Sequence, residues 1–509
     1  HLPNFKLVGN SDTEVLVNLY SKYKKKILDM IEGMFSFIIY DKQEKECFIV
    51  RDRFGIKPLY FYQSTSSIII SSEIKPIIKY SKFKDYNLEA FGDLFFHGSM
   101  DHDSNTFFKK INSLEPSHYL IVKREKTKKI KYWELEKPEF KKKENKKKKL
   151  SKLILESIDQ HLISDRKIGL FLSGGTDGSS LAAICKKFFN YNLNTYTYDF
   201  IDNEYGESKK SKAIANKLNL KNQLYKVNPK EVINEMNYLC NALESPFTSI
   251  RLFGVNALYR KAKKNGDKVI FEGHGGDEMN GGYTYNYFSY LADKYGRINL
   301  KKKLNKIELK KCLDTIDHQD QCTTDGIKFA NFDLFDSEFI NNYKKIKYEK
   351  NKNLNYLKNS QLQDIKYIKL PRILKYTDRL SMQHGIEARV PFLNHKLFSY
   401  SFHLNNNEKF YGGQSRYLFK KALSDIWPIT NFPKKKNTLV DPQKQWLKVD
   451  LKEFVYDNLN SSILRNSDIF NHKKIISHYD DFVKEKTNTS FLIFMILTSI
   501  SFFKVFNGK

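Results

Sequence analysis

Residues 171–180 (FLSGGTDGSS) combine glycines, hydroxyls and a carboxylate between a predicted strand and a predicted helix. Gly174 and Gly175 allow a tight turn that brings backbone N–H groups close to an anion. The helix that follows presents its positive N-terminus to the same point. The segment predicts a pyrophosphate site, with an ordinary strand-to-helix glycine turn as the alternative. It is not a Walker loop, because no Gly-Lys-Ser/Thr follows.

Three polar side chains of this segment are candidates for holding phosphates and a metal ion. Ser173 and Ser179 can add hydroxyl donors to those of the backbone. Asp177 can hold Mg²⁺ against the phosphates, because hard cations prefer oxygen ligands.

A second loop, residues 272–278 (EGHGGDE), follows another predicted strand. Ligands of open α/β sheets bind at the carboxyl ends of the strands, so both loops can face one crevice. Asp277 and Glu278 are then candidate ligands for Mg²⁺.

The elements that must position both loops alternate between strand and helix. We predict strands over residues 167–175, 194–200, 222–227 and 268–278, with helices over 179–189 and 210–220. Such alternation predicts a parallel, doubly wound sheet. From Tyr285 onwards the pattern is mostly helical.

The preceding residues predict an antiparallel sheet module with a leading helix, Thr13 to Met30. Its β-runs cover residues 34–41, 46–52, 58–63, 67–73, 118–126 and 130–135. A block of like charge, residues 137–149 (KPEFKKKENKKKK), then separates the two patterns and is interpreted as a solvated linker.

The composition excludes a disordered chain, because 40% of its 509 residues are hydrophobic. The 87 basic and 58 acidic residues give a net charge of +29, which invites a nucleic-acid interpretation. Only 12 of the basic residues are Arg. An excess of Lys with Asn, Ile, Tyr and Phe follows A/T-rich codons, so background composition is a sufficient cause. A basic nucleic-acid-binding protein stays as the alternative of another class.

Cysteine usage indicates a reducing, cytoplasmic environment. The five cysteines are scattered and form no C-x-x-C pair, and the twelve histidines lack metal-ligand spacing. The apolar run Ser490 to Phe503 falls short of the ~18 residues that a membrane span needs, so we predict a buried core helix. No signal peptide is recognised.

The two loops together resemble the asparagine synthetase family: an SGGxDS-like loop is followed about a hundred residues later by GxGGDExxGGY. Further segments resemble the amidotransferase half (residues 51–60 and 71–75) and the synthetase half (residues 204–208, 378–382 and 387–393). The resemblance extends over nearly all of the chain, and its motifs are long and specific.

This resemblance implies two domains. Residues 1–136 would form an α+β class II glutamine amidotransferase domain of Ntn-hydrolase-like fold, without its N-terminal portion. Residues 137–149 would be the Lys-rich linker. Residues 150–509 would form an α/β ATP-pyrophosphatase synthetase domain, of the adenine nucleotide alpha hydrolase-like type, with a helical C-terminal part.

The resemblance also assigns roles within the nucleotide site. Leu172 and Tyr198 would line the adenine pocket, and Gly273 would lie near the ribose. The pyrophosphate end of ATP would be held by Ser173, Gly174, Gly175, Asp177 and Ser179.

Three further roles concern activation of the substrate. Lys436, which precedes Pro442 by six residues and a Trp-Leu pair by ten, has the spacing of the ATP-activating lysine. Its alternative is a surface lysine of the run 434–436. Glu387 and Arg389 resemble an acid–base pair that flanks the substrate carboxylate, with a structural ion pair as the alternative.

The chain departs from the family pattern at several points. It opens with His1, so the sequence predicts a fragment whose glutaminase cysteine lies in a missing segment of roughly 80 residues. Asp12 alone matches a glutamine-binding residue, and Cys47 is predicted to be a core residue. We therefore expect no glutamine hydrolysis by this fragment.

Two substitutions lie in the synthetase loops. Gly178 replaces the usual serine, which predicts weaker but retained ATP binding, or a degenerate synthetase without turnover. His274 stands where Asp or Glu is usual in asparagine synthetases, facing the incoming amine. A neutral histidine can still accept a proton there.

We therefore expect a glutamine-hydrolysing asparagine synthase that adenylates the aspartate side chain with ATP and Mg²⁺ and amidates it with ammonia. The alternative within this class is amidation of another carboxylate, such as a sugar uronic acid. We expect small-molecule substrates, and neither nucleic acid nor membrane as partners; a homodimer and the identity of the acceptor are left open.

Overall fold

The computed structural model describes residues 7–9, 11–124, 126–135, 137–140, 144–202, 207–317, 332–344, 346, 348, 350–432 and 441–507. We refer to residues 7–135 as the N-terminal part and to residues 144–507 as the C-terminal part.

The N-terminal part is built on two antiparallel sheets, of which one has the order β1-β2-β6-β7 and the other β4-β3-β5. Its elements are α1 (Asp12–Tyr23), β1 (Ser36–Asp41), β2 (Glu46–Arg51), β3 (Tyr60–Gln63), β4 (Ile68–Ser71), α2 (Ile74–Ser81), α3 (Leu88–His97), β5 (Ile111–Ser113), β6 (His118–Lys123) and β7 (Lys126–Lys131). The predicted antiparallel module is confirmed.

Several predicted boundaries in this part are wrong, and the leading helix and the last strand are the clearest cases. The leading α-helix ends at Tyr23, and residues Lys24–Asp29 tighten into a 3₁₀ helix. The last strand ends at Lys131 instead of continuing to residue 135. Trp133 leaves the sheet because its ring packs against Phe54, at a centroid distance of 5.3 Å.

The first half of the C-terminal part alternates between helices and strands. These elements are α4 (Lys146–Leu162), β8 (Ile168–Phe171), α5 (Thr176–Ala183), β9 (Asn194–Phe200), α6 (Ser208–Lys217), β10 (Asn222–Val227), α7 (Pro229–Leu243), α8 (Arg251–Lys264), β11 (Val269–Phe271) and α9 (Gly276–Asn280). A single π-helical turn, Ile184–Phe188, extends α5.

The second half is mostly helical, as predicted. It contains α10 (Thr284–Lys303), α11 (Lys306–Asp317), α12 (Ser337–Asn342), α13 (Tyr356–Gln363), α14 (Leu370–Gln383), β12 (Glu387–Arg389), α15 (His395–Phe402), α16 (Asn406–Lys409), β13 (Phe410–Tyr411), β14 (Gln414–Ser415), α17 (Tyr417–Ala422), α18 (Gln443–Lys448), α19 (Lys452–Leu459), α20 (Ser462–Arg465), α21 (His472–Val483) and α22 (Ser490–Asn507).

A five-stranded parallel sheet with the order β10-β9-β8-β11-β12 organises the C-terminal part. The strand order runs outwards from β8 in one direction and from β11 in the other. The doubly wound prediction is therefore confirmed, and the topological switch point lies between β8 and β11, where such sheets bind their ligands.

The Lys-rich block is not a linker throughout its length. Its last four lysines form the start of α4, with Asn145 as the capping residue. Lys146 forms an ion pair with Glu408 at 2.8 Å. The helix forms there because its apolar side chains, including Leu150 and Ile154, are fully buried in the core.

Helix α22 is the most apolar element of the chain. It extends to Asn507 and so reaches 18 residues. The prediction that this segment is too short to span a membrane is therefore wrong. By length and composition it could cross a membrane, yet 72% of its apolar window is buried within the protein. Phe502 packs against Phe91 and Phe108 of the N-terminal part, so α22 is the core helix we predicted.

A buried ion pair of the C-terminal part also bonds the N-terminal part, and this contact connects motifs that the sequence assigns to different halves. The Arg379 guanidinium lies 2.9 Å from the fully buried Glu244 carboxylate. The same carboxylate accepts hydrogen bonds from the backbone N–H groups of Ile74 and Lys75. The Glu244 carboxylate therefore caps the first turn of α2 from another part of the chain, and Arg379 neutralises its charge.

Candidate active site

The first loop lies at the carboxyl end of β8, where the strand ends at Phe171 and α5 begins at Thr176. Gly174 adopts a positive φ of +76°, and a Cβ there would lie 2.8 Å from the Cβ of Lys210. The turn therefore requires glycine. Ser173 is exposed and Asp177 half-buried, so both can reach a ligand in front of the helix N-terminus.

Ser179 does not offer its hydroxyl to this loop, contrary to our expectation. The residue is fully buried, and its hydroxyl donates to the carbonyl of Gly175 at 2.7 Å. Because a serine near a helix N-terminus readily bonds the backbone of its own helix, it stabilises the first turns of α5 instead.

Of the two residues expected at the adenine, Leu172 directly follows β8 and Tyr198 lies in the neighbouring strand β9. The carbonyl of Leu172 accepts a hydrogen bond from Thr197, which directly precedes Tyr198. The Leu172 side chain is buried, and the Tyr198 ring lies against Gly254, where a Cβ would approach it to 2.4 Å. Their contact with adenine stays a prediction.

The second loop touches the first across the switch point. A Cβ on Gly273 would lie 2.7 Å from the Asp177 Cβ, and one on Gly276 would lie 2.3 Å from Asp177 Oδ1. These glycines allow the loops to approach more closely than any side chain would permit. The two loops therefore face one crevice, as their positions at strand ends predicted.

Arg416 is a residue of this site that the sequence did not reveal. Its guanidinium lies 2.8 Å from Asp177 and 2.9 Å from Asp277, so one buried cation bridges the carboxylates of both loops. It precedes α17 and belongs to none of the motifs we recognised. On the next turn, burial and then the charge of Arg416 lower the pKa of Lys420 to about 8.

Of the three predicted Mg²⁺ ligands, the structure brings two to one point. Asp177 and Asp277 share the Arg416 cation, and carboxylates arranged in this way also suit a divalent cation. Glu278 is buried, and its carboxylate accepts hydrogen bonds from Gly275 N–H and the Tyr283 hydroxyl. Across the described ranges no group of three or more His, Cys, Asp or Glu could hold a metal ion.

A Glu–His pair lies at the other side of the second loop, with the carboxylate buried and the imidazole partly exposed. Glu272 Oε2 lies 2.6 Å from His274 Nε2, and the carboxylate also accepts hydrogen bonds from the hydroxyls of Tyr259 and Thr377. Burial is the largest influence on the pKa of His274 and would lower it, but the carboxylates of Glu272, Glu278 and Asp177 together outweigh burial, so that pKa is raised. Burial would raise the pKa of Glu272, but His274, with the Tyr259 and Thr377 hydroxyls, outweighs burial and lowers that pKa.

Comparison with known proteins adds the decisive observation to this geometry. The family model described as asparagine synthase matches residues 149–500, and the glutamine amidotransferase domain model matches residues 3–133. The chain belongs to the asparagine synthase family. Members of this family act on small-molecule substrates.

Named relatives of the chain include more than one activity. It is 26% identical to asparagine synthetase [glutamine-hydrolyzing] 1 of Bacillus subtilis, over 97% of this chain and 81% of that protein. It is 29% identical to asparagine synthetase 2 of B. subtilis, over 78% of this chain and 54% of that protein. Amidase chry2 of Gibberella zeae is 26% identical over 55% of this chain and 44% of its own length.

Glu387 and Arg389 do not flank the crevice of this asparagine synthase family member, contrary to our expectation. Glu387 pairs with Val269 at the start of β11, the amino edge of the parallel sheet. Arg389 bonds Glu387 at 2.6 Å and the carbonyls of His161 and Ile163 at the end of α4. A cation there satisfies the free carbonyls of a helix C-terminus, so the pair is a structural ion pair.

The remaining predicted residues lie outside the crevice or outside the described residues. Lys436 is not among the described residues, whereas Trp446, ten positions on, is fully buried and donates to Asp202 at 2.6 Å. Asp12 is exposed at the start of α1, and its contact with glutamine stays a prediction. Cys47 lies in β2, packed against the core as we predicted.

Gly178 offers a direct test of the first loop. We expect Gly178→Ala to raise the free energy of unfolding by about 0.5–1 kcal/mol, because alanine favours a helix over glycine. A Cβ at this position would lie 3.4 Å from its nearest neighbour, the carbonyl oxygen of Phe171, so it fits. The measurement is urea unfolding of both proteins.

Gly276→Ala is the matched control, because its Cβ would collide with Asp177 at 2.3 Å. We expect this variant to be less stable than the original chain. Equal effects of the two alanines on the unfolding midpoint would contradict the close packing of the loops.

Proposed function

We propose that this protein is an ATP-dependent amide-forming ligase that adenylates the side-chain carboxylate of aspartate. Adenylation releases pyrophosphate, and ammonia then displaces AMP to give asparagine. The observation that carries the proposal is the meeting of two glycine loops at the switch point, with Asp177 and Asp277 facing one cation. Family membership supplies the class of reaction.

The chain's own groups divide the work at this crevice. The backbone N–H groups of residues 173–175 and the N-terminus of α5 would bind the pyrophosphate end of ATP. Asp177 and Asp277 would hold Mg²⁺, which neutralises phosphate charge when bound. Arg416 would neutralise charge at the same point, and Ser173 would add a hydroxyl donor.

The second loop would receive the acceptor and the amine. Gly273 lets this loop lie close against α5, because a side chain there would collide with Asp177. His274 lies on the same loop and is 30% exposed, so an amine that attacks the adenylate would be able to meet it. We place Lys436 at the α-phosphate on the basis of its spacing alone.

The test is a product assay with purified protein, ATP, Mg²⁺, aspartate and ammonium chloride. We expect asparagine, AMP and pyrophosphate in equal amounts. AMP that does not exceed the aspartate-free control would overturn the assignment of aspartate.

An ATP–pyrophosphate exchange assay across candidate acids separates the alternatives. Exchange with a sugar uronic acid but not with aspartate would favour the other acceptor. Nucleotide binding without exchange for any acid would indicate a degenerate synthetase, the outcome that Gly178 suggested from the sequence.

A further inference from the structure

The Glu272 carboxylate is fixed by groups from three separate elements. Its partners are Tyr259 of α8, Thr377 of α14 and His274 of the second loop. The side chain is only 7% exposed. Burial raises the pKa of Tyr259 well above its usual value, so this hydroxyl stays protonated and donates. A glutamate with a purely structural role would not need a histidine of the second loop among these partners.

The histidine of the pair is more exposed than the glutamate. Nε2 points to the buried carboxylate, while 30% of the side chain remains exposed. With Nε2 held, Nδ1 is the ring nitrogen left for a substrate. A carboxylate that bonds one ring nitrogen fixes both the tautomer and the orientation of the ring.

We propose that Glu272 is a positioning residue that holds His274 as the proton acceptor of the amide-forming step, an inference that rests on the proposed function. The sequence motif marked His274 alone. The structure adds the Glu272 carboxylate, two residues earlier. Glu272 directly follows β11, and its backbone N–H donates to the Arg389 carbonyl at 2.9 Å.

The step balances without another reactant. The amine nitrogen forms a bond to the activated carboxyl carbon, and the bond from that carbon to the adenylate oxygen breaks. Its electron pair leaves with AMP. The proton that the nitrogen must lose goes to His274 Nδ1, while Nε2–H stays bonded to Glu272, which stabilises the imidazolium.

The charges around His274 favour the protonated ring. Glu272 is the strongest, and Glu278 of α9 and Asp177 of α5 act in the same direction, against burial. Tyr259 stays neutral on the other side of Glu272. Removal of the Glu272 charge should therefore lower the pKa of His274, and the proton acceptor should become active at a lower pH but with less driving force.

The first experiment follows the His274 ring by NMR in the full chain with ¹³C-labelled histidine. Its resonance is assigned by its absence in His274→Asn. We expect a pKa above the usual histidine value, lowered by about 1 unit or more in Glu272→Gln. Glu231→Gln is the matched control, because Glu231 is also buried but caps α7 away from the crevice, and it should leave the titration unchanged. A His274 pKa at or below the usual value in the original chain overturns the pair.

The second experiment measures ammonia-dependent amide formation against pH at constant free ammonia. In Glu272→Gln we expect kcat to fall by about 100-fold and the acidic limb of the profile to move to lower pH, with KM for ATP unchanged. ATP–pyrophosphate exchange should persist, because adenylation precedes the proton transfer. An unmoved limb overturns the positioning role, even if kcat falls.

Failure of the proposed function gives a different pattern. In that case the original chain lacks exchange with every acid, while the NMR titration still reports the Glu272–His274 pair. If Glu272→Gln does not fold, His274→Asn tests the same step, since it should lose the acidic limb altogether. Retention of that limb in His274→Asn overturns the proposal.

Discussion

Arg379→Met is expected to lower the free energy of unfolding by about 3–5 kcal/mol, because it leaves the buried Glu244 carboxylate without its cation. Glu244 is fully buried, and Arg379 is 3% exposed. Two backbone N–H groups of α2 remain bonded to Glu244, but they carry no full charge. The measurement is guanidinium unfolding at neutral pH, monitored by tryptophan fluorescence.

The pH dependence of this loss identifies its cause. In the native chain burial outweighs Arg379 and raises the pKa of Glu244. Without the arginine that pKa rises further. Because a carboxyl with a raised folded-state pKa is penalised only where it must ionise, the loss should shrink as pH falls towards the ordinary carboxyl range and grow above it.

Two further variants complete this test. The double variant Arg379→Met/Glu244→Gln should regain much of the stability, since both charges are then removed together. Lys152→Met, in an exposed pair with Glu156, should have little effect. A loss for Arg379→Met that is independent of pH would attribute the effect to packing and contradict the ion-pair account.

The order of strands and helices could be predicted from the sequence because it depends on local patterns of apolar and turn residues. Strands β9 and β10 were predicted with the bounds that the structure has, since apolar runs between turn residues define them. The predicted ends of helices were wrong where contacts with distant parts of the fold determine them. Tyr23 ends α1 before the predicted residue, and Lys146 begins α4 inside a block whose charge alone predicted a linker.

Some features of the candidate site could likewise be predicted from the sequence, and others could not. Its glycine loops carry their signal in the backbone: the turn at Gly174 and the close approach at Gly276 need glycine whatever surrounds them. Partnerships across the fold carry no such signal. The sequence could not place Arg416 between two loops, nor reveal that Arg389 bonds the end of α4 instead of a substrate.

Arg416→Met is the prediction that bears most directly on the nucleotide site. The substitution leaves two half-buried carboxylates, Asp177 and Asp277, facing each other without the guanidinium that now lies within 2.9 Å of both. We expect a loss of about 3–5 kcal/mol in metal-free buffer. The measurement is the unfolding transition in the presence of a chelator.

Addition of Mg²⁺ should then distinguish the variant from the original chain. In Arg416→Met the cation can occupy the point between the carboxylates, so millimolar Mg²⁺ should restore much of the lost stability by binding the folded state. In the original chain the guanidinium already neutralises them, and the same Mg²⁺ should add less.

Arg416→Lys is the matched variant, because it keeps one positive charge but loses the planar fork that reaches both carboxylates. It should be intermediate in stability and in its response to Mg²⁺. An Arg416→Met protein whose transition is unaffected by Mg²⁺ would remove Asp177 and Asp277 as the metal ligands. The crevice would then rely on cationic side chains such as Arg416 to neutralise the phosphates, and the pyrophosphate exchange of this variant should be lost at any Mg²⁺ concentration.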